Sequence, residues 1–491
     1  MELRIENMEM LTSHGNIKGR NAMVAILEAG LEASDPYYNT LKLIRIENGK
    51  LIVGKKEYEP AGSPKTGDEV YDLSMIKNIW VFGAGKGIQR VAKAIEDALG
   101  DRLTGGHVVD KKGNPIICQK IGVTLGAHPA PDADCVQGCQ KIYEMITKRV
   151  GKDDLVFTCV ANGVSSLMTL PVPGLSIDDV SKVTYVMQIK RGVGTGDLNR
   201  IRNHIDMLKC GRISRLMQPA KAVHILAIDP GDYNRLMTRN AWLHSLPGSS
   251  TFQMALDVIK KHDAMDDIPP AVREFLEAAD PKCEVVRGEE FQKWESRIFG
   301  VMPGYGQTAK LPAAIRKAEE LGFKTTVLCE GLSGIEARHA GTYLASICNT
   351  IERTGRPFEP PCAIFTSGEM IVTVGNENGM GGRNQECALS AALRIAGSKN
   401  IIISSVDTDG TDGPGLQFGQ KAPEGMPSCL DGGIVDGETI AEAEKAGINI
   451  PEELKKHNTS VPLWKLGSGV VATPNISLND LTVALVMGRS D

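Results

Sequence analysis

The stretch Ile79-Trp-Val-Phe-Gly-Ala-Gly-Lys-Gly87 predicts the fold of this chain. Its first four residues are β-branched or aromatic, as in a buried strand. A glycine-rich turn follows, and apolar residues then recur at helical spacing as far as Leu99. A strand, a tight glycine turn and an amphipathic helix form the first half of a βαβ unit.

The same alternation of apolar strands and helical patterns continues along the chain and indicates a parallel α/β fold. Further strands are predicted at residues 107–109, 155–160, 223–228, 325–328, 401–406 and 481–487. The polar stretch 46–72 is predicted to be a loop or a hairpin insertion. Residues 261–300 are rich in charges and contain few strand signals, so we place the domain boundary there. We expect a larger Rossmann-like N-terminal domain over residues 1–295 and a smaller α/β domain over residues 296–491.

The overall composition is that of a globular protein and argues against nucleic-acid binding. The chain has 491 residues, with 55 Lys and Arg against 60 Asp and Glu, whereas nucleic-acid binders normally carry a basic excess. No run of 18 apolar residues predicts a membrane span, and the first residues lack the apolar stretch of a secretory signal. The 11 cysteines contain no C-x-x-C pair, so we expect reduced thiols and a cytoplasmic location.

The turn Gly83-Ala-Gly-Lys-Gly87 is a candidate phosphate site, because free N–H groups at a helix N-terminus bind anions and Lys86 adds a cation. The turn lacks the spacing of a Walker A loop. It partly fits a dinucleotide fingerprint, in which Asp110 at the end of the next strand would bind a ribose. An ordinary strand-to-helix turn with a solvent-exposed lysine would give the same pattern.

A second strand-end loop, Val160-Ala-Asn-Gly-Val-Ser-Ser166, contains small residues and hydroxyls. Its amide, hydroxyl and backbone donors suit phosphate oxygens. The signal is weak by itself, because ordinary loops have the same composition.

Charged residues follow two further predicted elements. Asn199-Arg-Ile-Arg-Asn-His204 and Lys209 form a basic cluster that either binds a carboxylate or phosphate or is a solvated helix face. Asp232 lies in a loop after a strand, where it could hold a metal, accept a hydroxyl proton or form a turn.

The segments Gly381-Gly-Arg-Asn-Gln-Glu386 and Asp407-Thr-Asp-Gly-Thr-Asp-Gly-Pro414 carry the most specific chemistry. The planar guanidinium of Arg383 suits phosphate or carboxylate. The carboxylates of the second segment suit a hard divalent ion, although the glycine that a calcium loop needs at its sixth position is replaced by Asp412. Together the two segments indicate phosphoryl transfer, in which a protein mainly positions groups and neutralises charge.

These segments together resemble the class II glycerate 2-kinases, the MOFRL or glycerate kinase type 2 family, over nearly the whole chain. The segments 381–386 and 408–414 match the family pattern intact and are the most specific. Weaker matches lie at residues 83–86, 199–209, 231–232, 334–338 and 367–370. The chain departs from the pattern at Ala161-Asn162-Gly163, at residues 472–479 and in an insertion at 415–431, so it resembles a divergent member.

The resemblance implies an ATP-dependent kinase with its active site in a cleft between two α/β domains. Lys86 and Arg383 would be catalytic, with Asp232 assisting. The acid substrate would be bound by Arg202, His204, Lys209, Asn384 and Glu386. The nucleotide would contact Gly83, Gly85, Gly87, Asn162, Gly163, Ser165 and Ser166, and Mg²⁺ would be bound by Asp409 and Asp412.

The expected reaction transfers the γ-phosphoryl group of ATP to a hydroxyl of a small hydroxy acid, most simply the 2-hydroxyl of D-glycerate. Three alternatives stay open. The chain could phosphorylate another sugar acid, act as an NAD(P)-dependent hydroxypyruvate or hydroxy-acid reductase, or bind a metabolite without turnover. The expected partners are small molecules, not nucleic acids or membranes, and the sequence is compatible with a homodimer.

Overall fold

The computed structural model describes residues 3–128, 130–302, 305–416, 419–476 and 478–489. The strands are β1 (Ile44–Glu47), β2 (Lys50–Val53), β3 (Glu69–Asp72), β4 (Ile79–Ala84), β5 (Gly105–Lys111), β6 (Gly122–Gly126), β7 (Leu155–Val160), β8 (Lys221–Leu226), β9 (Ser296–Gly300), β10 (Lys324–Cys329), β11 (Cys362–Gly368), β12 (Ile401–Val406), β13 (Gly432–Asp436), β14 (Gly469–Val470) and β15 (Asp480–Val486).

The α-helices alternate with these strands along most of the chain. They are α1 (Met8–Thr12), α2 (Ile17–Ala33), α3 (Pro36–Leu43), α4 (Gln89–Leu99), α5 (Ala133–Arg149), α6 (Val164–Leu167), α7 (Ile177–Thr184), α8 (Thr195–Arg202), α9 (Arg212–Leu216), α10 (Tyr233–Arg239), α11 (Phe252–Lys261), α12 (Pro270–Ala278), α13 (Gly288–Phe291), α14 (Tyr305–Glu320), α15 (Ala337–Thr354), α16 (Arg383–Ile395), α17 (Thr439–Lys445), α18 (Ile450–Lys455) and α19 (Ser460–Lys465).

Residues 36–303 form one compact unit around a six-stranded sheet with the order β6-β5-β4-β7-β8-β9. Every neighbouring pair in this sheet is parallel. The order corresponds to that of the Rossmann fold, with β4 as the first strand and a reversal of strand order between β4 and β7. The predicted Rossmann-like sheet is therefore confirmed.

The central strands of this sheet are buried along their whole length. All six residues of β4 and all six of β7 are inaccessible, as expected where helices cover both faces of a parallel sheet. One face packs Trp80, Phe82, Val156 and Val160 against α5, which contributes Ile142 and Ile146. The carboxyl ends of the two strands are thereby fixed side by side.

The polar stretch near the start of this unit forms a small sheet of its own. Strands β1, β2 and β3 pair in that order, and both pairs are antiparallel. This agrees with the hairpin expected within residues 46–72 and adds a third strand.

Residues 1–35 and 304–491 form the second unit, whose sheet has the order β10-β11-β15-β12-β13-β14. Only β10 and β11 are parallel, and the other neighbouring pairs are antiparallel. Helices α15 and α16 pack on one face around Leu344, Ile351 and Leu389. Helices α2 and α14 pack on the other face, where they contact Val483 and Leu485.

The division into units corrects the predicted boundary at residue 295 in two respects. Strand β9 at Ser296–Gly300 is an edge strand of the first sheet, paired with β8, so that unit extends to residue 303. Helix α2 buries Met23, Leu27 and Leu31 in the second unit, so the first 35 residues belong with the C-terminal half of the chain.

None of the described helices has the length and apolar character needed to cross a bilayer. All eleven cysteines lie within the described residues and none of them forms a disulfide; most are buried. Burial raises the pKa of Cys135 to about 12, which makes it a poor thiolate ligand. Within the described residues, no group of three or more His, Cys, Asp or Glu side chains is arranged to hold a metal ion.

Candidate active site

The loops that follow β4 and β7 meet where the strand order of the parallel sheet reverses. In open α/β sheets, ligands bind outside the carboxyl ends of the strands at this point. The Lys86 N–H donates to the Asn162 carbonyl at 2.8 Å, which joins the two loops. A Cβ added to Gly163 would lie 2.9 Å from Lys86 Cγ and 3.1 Å from His128 Cδ2. The fold thus brings Lys86, Asn162 and Gly163 together and adds His128, which belongs to none of the predicted motifs.

The glycine turn between β4 and α4 uses its N–H groups within the protein. Those of Gly85 and Gly87 donate to the Val109 carbonyl at 3.1 Å and to the Asp110 carboxylate at 2.8 Å. Asp110 also accepts from the Gln89 side chain at 3.1 Å. This corrects the prediction that these N–H groups are available to a phosphate, because a carboxylate of the protein already caps the helix.

The same contacts weaken the dinucleotide interpretation of the turn. Asp110 is 1% exposed, and burial raises its pKa even against the hydrogen bonds that it accepts. A further donor, the side-chain amide of Asn114, lies 3.0 Å away. A ribose hydroxyl would have to displace these donors to reach the carboxylate.

Two glycines of the turn allow the loops after β4 and β7 to approach each other closely. A Cβ on Gly83 would lie 2.0 Å from the Cys159 carbonyl oxygen. Gly85 has φ +148°, and a Cβ there would lie 2.7 Å from Ala161. Glycine is therefore required at both positions to bring Lys86 against the loop after β7.

The two serines of the second loop point in different directions. The Ser165 hydroxyl lies 2.9 Å from Nε2 of His244. The Ser166 hydroxyl is buried and donates to the Ala127 carbonyl at 3.3 Å. Burial lowers the pKa of His244 well below its usual value, and the positive charges of Lys209 and Arg202 lower it further. A neutral His244 therefore orients Ser165, while the buried Ser166 has a structural role.

Arg202 at the end of α8 is a buried cation that has no carboxylate partner among the described residues. It is 4% exposed, and its Nε and Nη2 both donate to the Thr184 hydroxyl, at 3.3 and 2.9 Å. Burial lowers its pKa to about 10, so it remains charged at neutral pH. Buried charges are normally paired. An unpaired guanidinium is thus suited to an anion supplied by a ligand.

The other two members of the predicted basic cluster are engaged within the protein. The Lys209 ammonium donates to Asp206, to the Thr169 hydroxyl and to the Met168 carbonyl. The His204 ring packs at 4.5 Å from the ring of Phe252, and burial lowers its pKa to about 3. The prediction that these two residues bind substrate is therefore not supported by their contacts, because Lys209 has used its three donors and His204 is a neutral core residue.

Asp232 caps the short helix α10. Its carboxylate accepts the Arg235 N–H at 2.8 Å, and the residue is exposed. It follows β8 of the parallel sheet, whereas Asp409 and Asp412 follow β12 of the other sheet. Asp232 therefore lies at a different sheet from the two predicted metal ligands.

Arg383, the first residue of α16, is held by two carboxylates. Its Nε lies 2.9 and 3.0 Å from the two Asp480 oxygens, and its Nη2 lies 2.7 Å from Asp407 Oδ2. Its Nη1 is 3.7 Å from Glu369. Burial lowers the pKa of Arg383, but the surrounding carboxylates outweigh this effect and raise it. The side chain is 21% exposed, so one edge of a fixed cation remains accessible.

Asn384 and Asp412 build the support for this helix end. Asp412 accepts the N–H groups of Asn384 at 3.1 Å and of Gln385 at 2.9 Å, and burial raises its pKa to about 6. The Asn384 amide donates to Asp412 and to Asp480, and its oxygen accepts from Ser405. These contacts count against two predictions, because both Asp412 oxygens already accept N–H groups at the start of the helix and Asn384 is buried among protein partners.

Glu386, one turn further along α16, is also paired within the protein. Its oxygens lie 2.8 Å from Arg338 Nε and 2.9 Å from His457 Nδ1. Its carboxylate is therefore oriented by two neighbours, and direct substrate binding by Glu386 remains a prediction.

Two ionisable residues near Arg383 belong to no predicted motif. Lys310 is fully buried and donates to the carbonyls of Leu478 and Asn479, and burial lowers its pKa. Asp431 is fully buried, and neither of its oxygens has a hydrogen-bond partner in the described part of the chain. Burial and then the charges of Asp407 and Asp409 raise its pKa well above the usual range. The surroundings of Asp431 therefore favour its protonated form.

Comparison with known proteins identifies two domain families. Residues 22–277 match a domain of unknown function, DUF4147. Residues 362–479 match the MOFRL family. The two matches fall largely in the two compact units.

Full-length relatives carry kinase names. A glycerate 2-kinase of Pyrococcus horikoshii is 29% identical, with 96% of this chain and 98% of the relative covered. A D-glycerate 2-kinase of Thermotoga maritima is 30% identical over 91% of this chain and 99% of the relative. Another relative carries a different name: a putative hydroxypyruvate reductase of Agrobacterium vitis is 28% identical, with 83% of this chain and 86% of the relative covered.

A solved structure supports the same relationship. The crystal structure of a glycerate kinase from Thermotoga maritima superposes with a TM-score of 0.68 at 26% sequence identity. The alignment covers 95% of this chain and 99% of the solved chain. The likeness therefore extends over both units.

Proposed function

This chain belongs to the glycerate 2-kinase family with DUF4147 and MOFRL domains, and from that premise we propose that it phosphorylates a small hydroxy acid. The γ-phosphoryl group of ATP would pass to the 2-hydroxyl of D-glycerate and give 2-phosphoglycerate. The observation that carries the proposal is the near-complete coverage of two glycerate 2-kinases, together with a cation at the switch point of the Rossmann-like sheet.

In phosphoryl transfer, the protein contributes mainly by positioning charged groups and only to a small extent by covalent chemistry. Lys86 would neutralise the transferring group, because its turn fixes the backbone while its side chain stays partly exposed. Arg383 would contribute its accessible edge to the negative charge of the transition state. Since Asp480 and Asp407 occupy its Nε and Nη2, we propose that Arg383 is a planar cation fixed by these two carboxylates, which presents its remaining edge to the substrate and does not bind it as a two-pronged clamp.

We propose that Arg202 binds the carboxylate of the acid. The support is its burial beside only a neutral hydroxyl, that of Thr184. A guanidinium forms strong charge-assisted bonds with a carboxylate, and burial strengthens them. Asp232 would accept the hydroxyl proton, a role that its exposed carboxylate allows.

The ATP-bound Mg²⁺ expected of such a kinase needs only one or two protein carboxylates, because phosphates and waters complete its shell. Asp412 does not fit this role, since both of its oxygens accept N–H groups of α16. Asp409 is the remaining predicted ligand; one of its oxygens accepts from Thr411 at 2.9 Å. When bound, the ion would neutralise phosphate charge.

We expect chelation to abolish turnover. Excess EDTA should remove measurable ATP consumption, and added Mg²⁺ should restore it, because the phosphate charge is otherwise not neutralised. Asp409→Asn should raise the Mg²⁺ concentration needed for half-maximal rate. Full activity in EDTA would contradict a metal-dependent reaction.

The test of the proposed function is a coupled ATP-consumption assay over small sugar acids, with the phosphorylated position read by NMR. Rapid NADH oxidation with hydroxypyruvate and no ATP consumption would favour the reductase alternative. Ligand binding without either activity would favour a non-catalytic relative.

We expect the departures from the family pattern to alter substrate preference. Asn162 replaces a smaller loop residue, and its side chain limits how closely the backbone approaches a phosphate. We therefore expect one of two results. Either a four-carbon hydroxy acid gives a kcat/KM equal to or above that of D-glycerate, or GTP or pyrophosphate gives a kcat/KM equal to or above that of ATP. A clear preference for D-glycerate and ATP would show that these departures are neutral.

A further inference from the structure

A cavity of about 390 Å³ lies beside the exposed edge of Arg383, wholly within the second unit. One wall is apolar and consists of Met370, Val372 and Val374. The lining also includes the polar groups of Arg383, Glu386 and His457, together with Gly381 and Gly382. Its size falls in the range of roughly 300–1,000 Å³ typical of small-molecule sites.

The polar side of the cavity is rigid before any ligand arrives. Arg383 is fixed by Asp480 and Asp407, and Glu386 by Arg338 and His457. Gly381 cannot carry a side chain, since a Cβ would lie 2.4 Å from the Thr459 hydroxyl. A site whose side chains are already fixed in this way can bind a ligand without the entropic cost of ordering those side chains first.

The apolar wall distinguishes between the two substrates of the proposed reaction. A three-carbon hydroxy acid is polar on every side, so it has little surface to place against Met370, Val372 and Val374. A purine base presents flat apolar faces and a few polar edge atoms, which match one apolar wall and one polar wall. Nothing else in the proposed reaction has this combination.

We propose that this cavity binds the purine base and ribose of the donor nucleotide, an assignment that rests on the proposed kinase function. The assignment places the base on the second unit, within the residues 362–479 that match the MOFRL family. It agrees with the finding that the glycine turn after β4 has used the N–H groups of Gly85 and Gly87.

Part of the cavity wall comes from the segment 415–431, which departs from the family pattern that the chain resembles. Gln420 lies in the insertion at 415–431 and lines the cavity, and its amide donates to the Asn378 carbonyl at 3.2 Å. Asn378 lines the cavity as well. An amide pair at the edge of a base site can discriminate between purines by hydrogen bonding, so the insertion would contribute to the choice between adenine and guanine.

The assignment is tested by filling the cavity. Val372→Trp places an indole inside it, whereas Ile371→Trp, one residue earlier, adds the same group at a position that is 44% exposed and outside the lining. We expect Val372→Trp to weaken ADP binding, measured by calorimetry with Mg²⁺, by at least about tenfold, and to raise the KM for ATP by a similar factor. The KM for the acid should be unchanged, and Ile371→Trp should leave both values unchanged.

Val374→Trp serves as a second variant if Val372→Trp does not fold, because Val374 lines the cavity and is 41% exposed. Unchanged ADP affinity in a folded cavity variant would overturn the assignment, as would a rise in the KM for the acid alone. Because ADP binding is measured without an acceptor, this outcome is separate from a failure of the proposed function. Normal ADP binding with no turnover on any acid would contradict the kinase while leaving the base site supported.

Discussion

Replacing Arg383 by lysine is expected to lower kcat by about 10²-fold or more, although the charge is retained. The guanidinium contacts Asp480 through Nε and Asp407 through Nη2 while a third edge stays exposed. A lysine ammonium is a single point of charge and cannot satisfy two separate carboxylates and a substrate at the same time. The two aspartates would draw the ammonium inward, and the charge at the exposed edge would be lost.

The measurement is the steady-state kinetics of Arg383→Lys. Arg394→Lys, the same substitution on the same helix, is the control. Arg394 is exposed and its side chain donates to the Ser346 hydroxyl, so a lysine at this position should lose little. Urea unfolding of both variants separates a catalytic loss from a folding defect. Full activity in Arg383→Lys would show that a point charge suffices and that the fixed planar group has no special role.

Replacing Lys86 by alanine is expected to reduce kcat by about 10²-fold or more while leaving the fold intact. The backbone of the turn is held by hydrogen bonds of Lys86, Gly85 and Gly87 that do not involve the lysine side chain. The side chain is partly exposed and lies beside the Asn162–Gly163 loop. Its removal should therefore affect charge neutralisation and not packing.

Lys93→Ala provides the comparison, because Lys93 lies on α4, the helix that follows the turn, and pairs there with Glu96 and Asp97 at one-turn spacing. Such surface pairs contribute roughly 0.3–0.5 kcal/mol to stability, so this variant should keep normal turnover. A thermal shift assay on both proteins verifies folding. Near-normal turnover in folded Lys86→Ala would remove Lys86 from the mechanism.

Much of the architecture could be predicted because local pattern and global fold agree. The strand, turn and helix at residues 79–99 specify a βαβ unit, and the strands at 155–160 and 401–406 begin and end where the apolar runs do. The edge strand β9 was missed because Arg297 interrupts its apolar run. The structure buries this arginine by pairing it with Glu59 and Glu69, which no local pattern reveals.

The candidate site was predicted less completely, because the type of a charged residue does not show which other side chain it pairs with in the folded protein. Lys209 and Arg202 look alike in sequence, yet Lys209 is neutralised by Asp206, whereas the Arg202 side chain donates to the neutral Thr184 hydroxyl. Asn384 is bonded to Asp412 and Asp480, which are 28 and 96 residues away. Such distant pairings decide whether a polar residue supports the site or faces a ligand.

The junction of the two chain ends has a consequence for biosynthesis. The unit of residues 36–303 is continuous, so it can fold as soon as it has left the ribosome. Helix α2 precedes it but covers a sheet whose strand β15 follows the other strands of that sheet in the chain, and the Arg4 side chain bonds to the carbonyls of Leu31, Thr408 and Thr473. The apolar face of α2 must therefore remain uncovered while the intervening residues 34–479 are synthesised, which makes this segment a natural substrate for chaperones until β15 emerges.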